Sequence, residues 1–329
     1  MSNPDDMSGP IIMAYAFDGA GGGAALDAAE VSPALKDKRL AWVHLDVNHP
    51  GTKSWLEQEI SYLDPYIVSA LLAEETRPRV TEIDEGVLII LRGVNLNENA
   101  DPEDMVSIRL WIDGERIISL RRRRLKAVSE MEERIKNGKG PKDAGEFITQ
   151  LISRLFDRIE PALLSLDEMT DTVEEEILEN PDLKLRESIV NIRRQAIIFR
   201  RYMAPQKEAI GHLRLCDFDW LDVKHKRHLQ ESQDRVLRYV EDLDAIRERA
   251  QIVKDELVNM IADRLNRNMY VLSVIAAIFL PLGFFTGLLG INVGGIPGAD
   301  NASAFWVFCG LLAVVVALQV WLFKKLKWF

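Results

Sequence analysis

The sequence predicts a mixed α/β domain that continues into a long helical stalk and ends in two transmembrane helices. Three observations predict it. The 61 residues from Met269 to Phe329 carry four charged side chains, Asp300, Lys324, Lys325 and Lys327, in a chain of 329 residues with 41 basic and 51 acidic ones. Strand-like apolar runs are confined to the stretch before Arg121. Between Asp217 and Pro281 there is neither glycine nor proline, and apolar residues recur at threes and fours. This split excludes a simple globular enzyme, and a hydrophobic share of 47% excludes a disordered chain. The net charge is −10, and the last 61 residues sum to +2, so the first 268 carry −12. An acidic body repels phosphates, which excludes wholesale nucleic-acid binding. The acidic start, Met1 to Pro10, lacks the basic region of a signal peptide, so the N-terminal body is expected to stay in the cytoplasm.

The elements follow in order. Strands are expected at Ile11 to Phe17, Leu40 to Val47, Val87 to Val94, Val106 to Ile112 and Arg116 to Leu120. The last two flank Asp113-Gly114, a hairpin turn signal. Short helices are expected at Lys53 to Ile60, Pro65 to Glu75 and Lys126 to Lys136. This domain occupies 1–143. A helical hairpin follows over 144–215, broken at Asn180-Pro181. Its turn end is acidic, with Asp167, Glu168, Asp171, Glu174, Glu175, Glu176, Glu179 and Asp182. That end is either a solvated surface or a field that concentrates cations.

The stalk occupies 216–268, with Val236, Val240, Leu243, Ile246, Ala250, Val253, Leu257 and Met260 on one face. No stop signal separates it from the first span at 269–289, so one helix is expected from about Asp217 to Leu289. The external loop is 290–303, the second span 304–323 and the basic tail 324–329. Each span holds about 20 residues without a charge, the length that crosses a bilayer. Arg264 and Arg267 precede the first span, and Lys324, Lys325 and Lys327 follow the second. The loop between has no basic residue, which places both chain ends in the cytoplasm. Tyr270, Phe305, Trp306, Trp321, Trp328 and Phe329 sit where interface anchors belong.

Two helices cannot enclose a water-filled path, so conduction would need several copies. Gly283, Gly287 and Gly290 share one helix face, which suits either close helix packing or a narrow passage. Pro281 stands in mid-span, where it can bend the helix.

Other motifs carry less. Gly19 to Ala24 formally matches a dinucleotide fingerprint, but the segment after it is short and interrupted by Pro33, so it reads as a loop. Arg121 to Arg124 reads as packing rather than nucleic-acid contact. His212 and Cys216 are four apart and would share a helix face, as ligands of a zinc site do. His225 and His228, three apart, read as structural or exposed, and His44 is given no role. No catalytic triad, Walker motif, kinase signature or cofactor motif is present, so no enzyme and no bound cofactor are expected.

The segment Gly290-Ile291-Asn292-Val293-Gly294-Gly295-Ile296-Pro297-Gly298 follows the first span, and Phe279 to Gly287 precedes it. Here the chain resembles the CorA divalent-cation transporter family, which carries a Gly-Met-Asn signature at this place. With Ile291 in the Met position, and with Glu75-Thr-Arg-Pro-Arg-Val80 and Arg200-Arg-Tyr-Met-Ala-Pro-Gln206, it looks most like the zinc-transporting branch. The resemblance spans essentially the whole chain. It implies a homopentameric funnel in the bacterial inner membrane, with Met269, Leu272, Ala276, Leu280, Gly283, Thr286, Gly287 and Gly290 lining the pore. Asn292 would then form a ring of five amides that holds a hydrated ion, with Gly290, Ile291 and Asn292 as the selectivity motif. The cargo implied is Zn2+, with Mg2+, Co2+, Ni2+ or Cd2+ as the alternatives on the same scaffold. A membrane-anchored sensor without transport is the third reading.

Overall fold

The computed structural model describes residues 9–37, 39–60, 62–290, 298 and 301–325. The chain divides into two units, Met1–Lys254 and Asp255–Phe329. Seven strands build the sheet of the first: β1 Ile11–Phe17, β2 Gly23–Ala25, β3 Ala41–Asp46, β4 Arg79–Ile83, β5 Gly86–Gly93, β6 Val106–Ile112 and β7 Arg116–Arg121. They lie in the order β2-β1-β3-β7-β6-β5-β4, antiparallel except for the β3–β7 pair. The Asp113-Gly114 turn joins β6 to β7, with Gly114 at φ 88°, a conformation that favours glycine.

Helices α1 Ala28–Lys36, α2 Thr52–Glu59 and α3 Pro65–Leu72 cover one face of this sheet. Val31, Leu35, Leu56, Ile67 and Leu71 share a core there with Val43, Leu45, Trp111, Ile118 and Leu120. Alternation places Trp42 and His44 on the opposite face, where Trp42 meets Phe147 edge-on at 5.0 Å. Phe147 belongs to α5 Ala144–Glu179, which follows α4 Lys126–Lys136. Gly93 of β5 is closed in by Leu155 and Leu125, so the strand runs tight against α5. Strands β2 and β4 are not among those predicted. The first has three residues, and the second is a polar edge strand paired with β5.

The hairpin arms are α5 and α6 Leu185–Leu215. Asp143 caps α5 by accepting from the Glu146 backbone N–H at 2.7 Å. Gln206 of α6 is fully buried and pairs with both backbone groups of Arg92, its Oε1 accepting at 2.7 Å and its Nε2 donating at 3.1 Å. That amide continues the β5 ladder where β4 has ended.

Helix α7 runs Val223–Gly290 without interruption, 68 residues. It starts six residues later than the expected Asp217, from which the chain is free of glycine and proline up to Pro281. The cause is Asp222, whose side chain accepts from the His225 backbone N–H at 2.8 Å. Leu229, Val236, Leu243, Ala250 and Leu257 are buried at a spacing of seven, with Tyr239, Ile246 and Val253 three residues after the middle ones. That is a heptad seam. In the second unit, α7 continues through the first apolar window and α8 Ala304–Lys325 forms the other. Of the two windows, 6% and 0% is buried, where a soluble protein's core helix would be mostly buried.

Candidate ion pathway

Within the second unit Gln319 Nε2 of α8 donates to the Ala277 carbonyl of α7 at 3.3 Å. Val274 is buried, and Ala277, Ile278, Pro281 and Leu282 are partly covered. At 100° per residue these positions centre roughly 150° round the helix from the Met269, Ala276, Leu280, Gly283 and Gly287 stripe. That stripe is open. Met269 is 62% exposed, Leu272 67% and Leu280 75%, and a Cβ at Gly283, Gly287 or Gly290 would meet nothing within 4 Å. Ala276 is exposed as well. Thr286 is off the stripe's centre, and its hydroxyl donates to the Leu282 and Gly283 carbonyls at 2.9 and 3.1 Å. Ser273 does the same to Met269 at 2.8 Å. Both hydroxyls are thus satisfied by their own helix. Ile291 and Asn292 lie outside the described residues.

The acidic hairpin end is not simply a bare field. Arg249 of α7 reaches into it. Its Nη1 donates to Asp167 at 3.0 Å, its Nε to Glu174 at 3.0 Å and its Nη2 to Glu174 at 2.7 Å and to Asp171. These bonds push the guanidinium's affinity for its proton above the ordinary range. Burial, with Asp167 and Glu241 nearby, raises the Asp242 carboxyl. Glu168, Glu175, Glu176, Glu179 and Asp182 remain exposed. A second clamp lies further up the hairpin, where Arg235 bonds Asp157 at 2.9 Å, Glu160 and the Tyr239 hydroxyl at 2.6 Å.

Cys216 follows the last residue of α6 with extended backbone and is buried, while His212 in the last turn is exposed, so the two do not share a helix face. The Cys216 thiol donates to the His212 carbonyl at 3.4 Å, and the His212 ring lies 3.3 Å from Glu82. Burial and the Glu82 charge push the thiol up to about 12, so it keeps its proton. Among the described residues, no group of three or more His, Cys, Asp and Glu side chains is placed to hold a metal ion. His225 is packed structurally: its ring stands 3.0 Å from Asp222 and 3.3 Å from Asp143, beside Gly145. His228 is exposed, its ring 3.7 Å from Glu231. His44 is fully buried, its Nδ1 2.7 Å from the Ser119 hydroxyl.

The Gly19 to Ala24 segment turns β1 into antiparallel β2, and Asp18 accepts from the Ala20 and Gly22 N–H groups at 2.7 and 2.9 Å. No parallel βαβ unit follows, since β3 is antiparallel to β1. Arg122 and Arg109 donate to the last carbonyls of α3, at Leu72 (3.4 Å) and Ala73 (2.9 Å). The basic run begun at Arg121 is therefore partly internal. Sequence reasoning did not anticipate Arg249, Gln206 or Gln319 in these places. For Gln319 a signal exists: a lone amide in an apolar helix needs a partner.

Two exposed apolar helices, each long enough to cross a bilayer, are the mark of a two-span membrane protein. The family model described as CorA-like Mg2+ transporter protein matches residues 37–325, and the chain belongs to that family of divalent cation transporters. It is 38% identical over 324 residues to the divalent cation transporter CmaX of Pseudomonas aeruginosa, covering 97% of this chain and 96% of that one. It is 36% identical over 317 residues to the zinc transport protein ZntB of Pectobacterium atrosepticum, covering 96% and 95%. The solved structure of full-length CmaX superposes with a TM-score of 0.85 at 38% identity, over 98% of this chain and all of that one. The complete CorA magnesium transporter of Methanocaldococcus jannaschii shares the fold, with a TM-score of 0.79 at 19% identity over 96% and 99%.

Proposed function

We propose that this chain is a zinc transporter of the bacterial inner membrane. It works as a homopentamer whose pore is lined by the apolar end of α7, with both termini in the cytoplasm. The observation that carries the reading is the stripe from Met269 to Gly290, open like most of this part of α7 and on the side away from buried Val274 and the Gln319 contact at Ala277. Two helices leave that stripe bare, and further copies of the chain would complete it. The zinc assignment draws on the relatives named zinc transport protein, 33–36% identical over 317 residues. The chemistry is compatible with a hydrated dication. Neither span holds a carboxylate, so nothing there compensates the cost of stripping its water. Asn292 amides at the mouth would bind the water shell with neutral oxygens and release it again. Met269, Leu272 and Leu280 would form apolar constrictions ahead of the wetted segment at Gly283, Gly287 and Gly290.

The full chain in liposomes loaded with a zinc-sensitive dye tests this. Protein-dependent zinc entry is expected, and Asn292→Ala abolishes it. Absence of flux from the wild type refutes the transport reading. Mg2+, Co2+, Ni2+ and Cd2+ added as competitors separate zinc preference from the magnesium-type alternative.

A further inference from the structure

Helix α8 carries one side-chain amide, Gln319, in an otherwise apolar stretch. Helix α7 carries one proline, Pro281. A proline has no N–H, so the carbonyl four residues before it, Ala277, loses its ladder partner. In hydrocarbon no water replaces that partner, and a neighbouring helix has to supply the donor. Gln319 Nε2 is 3.3 Å from that same Ala277 carbonyl. The neighbouring hydroxyls of α7 are committed elsewhere, Ser273 to Met269 and Thr286 to Leu282 and Gly283. Gln319 Oε1 is buried and has no donor among the described residues, so the Nε2 contact is what orients the amide.

We propose that Gln319 is a positioning residue for transport. It latches the second span onto the carbonyl that Pro281 leaves unpaired, and so fixes the direction in which α7 continues beyond the proline. Gly283, Gly287 and Gly290 lie on that continuation, and Met269, Leu272 and Ala276 lie before it. The latch therefore sets the angle between the two halves of the open stripe. This proposal rests on the reading that the stripe lines the ion path.

The experiment is a double-substitution cycle on the full chain, read by zinc flux in liposomes and by the thermal midpoint in lipid nanodiscs. Gln319→Leu removes the donor at similar size. With Pro281 present it is expected to lower maximal flux about three- to twenty-fold, the range set by interhelical hydrogen bonds in membranes. The zinc concentration at half-maximal flux stays unchanged, because no ion contact is touched. It also lowers the midpoint. In the Pro281→Ala background the restored N–H pairs with Ala277, and Gln319→Leu then costs less than about twofold in flux and leaves the midpoint in place. Equal losses in both backgrounds overturn the proposal, as does a shift in half-maximal zinc with maximal flux intact. Where wild type or Pro281→Ala carries no flux, the midpoint cycle alone decides: a loss confined to the Pro281 background supports the latch, and equal losses overturn it. A failure of the transport reading is thereby distinguishable from a failure of the latch.

Discussion

Arg249→Met tests whether the acidic hairpin end is neutralised from within the chain. The substitution keeps an unbranched apolar stem and removes four hydrogen bonds to Asp167, Asp171 and Glu174. The Arg249 side chain is 33% exposed and its partners 35 to 58%, so each pair alone is a weak surface interaction of about 0.2–1 kcal/mol. Three carboxylates sharing one guanidinium form a network, and their mutual repulsion returns when it leaves. Together these place the loss at about 2 kcal/mol, or roughly 4–8 °C in the unfolding midpoint of a unit of this size. Asp167, Asp171 and Glu174 lie four and three residues apart on one face of α5, so the variant presents three bare acids side by side. A divalent cation at ten times its dissociation constant would restore about 1.4 kcal/mol to the variant. The assay is thermal unfolding of the full chain in nanodiscs, with Ca2+ or with a chelator. The variant is expected to melt lower and to regain more than half of its loss with Ca2+, while the wild type shifts little. A loss below about 1 °C would show the network to be no stronger than scattered surface pairs. Equal stabilisation of both proteins by Ca2+ would refute the idea that Arg249 fills the cation position.

His44 is held neutral by burial, and to a smaller extent by the Arg121 charge, with its ring pushed down to about 3. Its folded value lies below the ordinary 6.5, so its contribution is complete above pH 6.5 and is lost as pH falls toward 3, by about 2 kcal/mol at pH 5. Equilibrium urea unfolding of His44→Phe should show a shallower loss of stability between pH 7 and 5 than the wild type. An unchanged slope would contradict the burial argument. Cys216, with its thiol up at about 12, should resist iodoacetamide at pH 8 in the folded protein and react once unfolded, as peptide mass spectrometry would show. Rapid labelling of the folded chain would contradict it.

How much of this was legible in the sequence depended on the range of the interaction. The hairpin arm Ala144–Glu179 ends where Asn180-Pro181 stops a helix, a local rule that needs no partner. The β6–β7 turn was legible because Asp113-Gly114 supplies the φ that the turn demands. Strand β4 escaped because an edge strand buries little, and Arg79-Val-Thr-Glu-Ile83 reads as polar. The start of α7 escaped because a stretch without glycine or proline permits a helix but does not mark its end. The end is set by the Asp222 cap. Arg249 and its carboxylates are 75 to 82 residues apart, and Gln319 and Ala277 are 42 apart. No local pattern joins groups at that range. The proline announces the need for a donor and the lone amide of α8 the need for a partner, but neither says that the two meet.

The pairing of Arg249 also changes where the negative charge of the body acts. A guanidinium among three carboxylates cancels most of their field within a few ångströms, and beyond about 8 Å salt screens what is left. The −12 of the first 268 residues therefore does not attract cations uniformly. The attraction belongs to acids that lack a strong cationic clamp, among them Glu168, Glu175, Glu176 and Glu179 on exposed faces of α5. Among the described residues none of these is placed with others to hold a metal, so on the proposed transport reading they raise the local concentration of a dication without binding it. The spans add no charge of their own between Arg267 and Asp300. On the proposed path, discrimination between ions cannot then come from carboxylate affinity. Under that proposal it comes from the spacing of neutral oxygens and apolar side chains, which in turn depends on how α7 is aimed past Pro281.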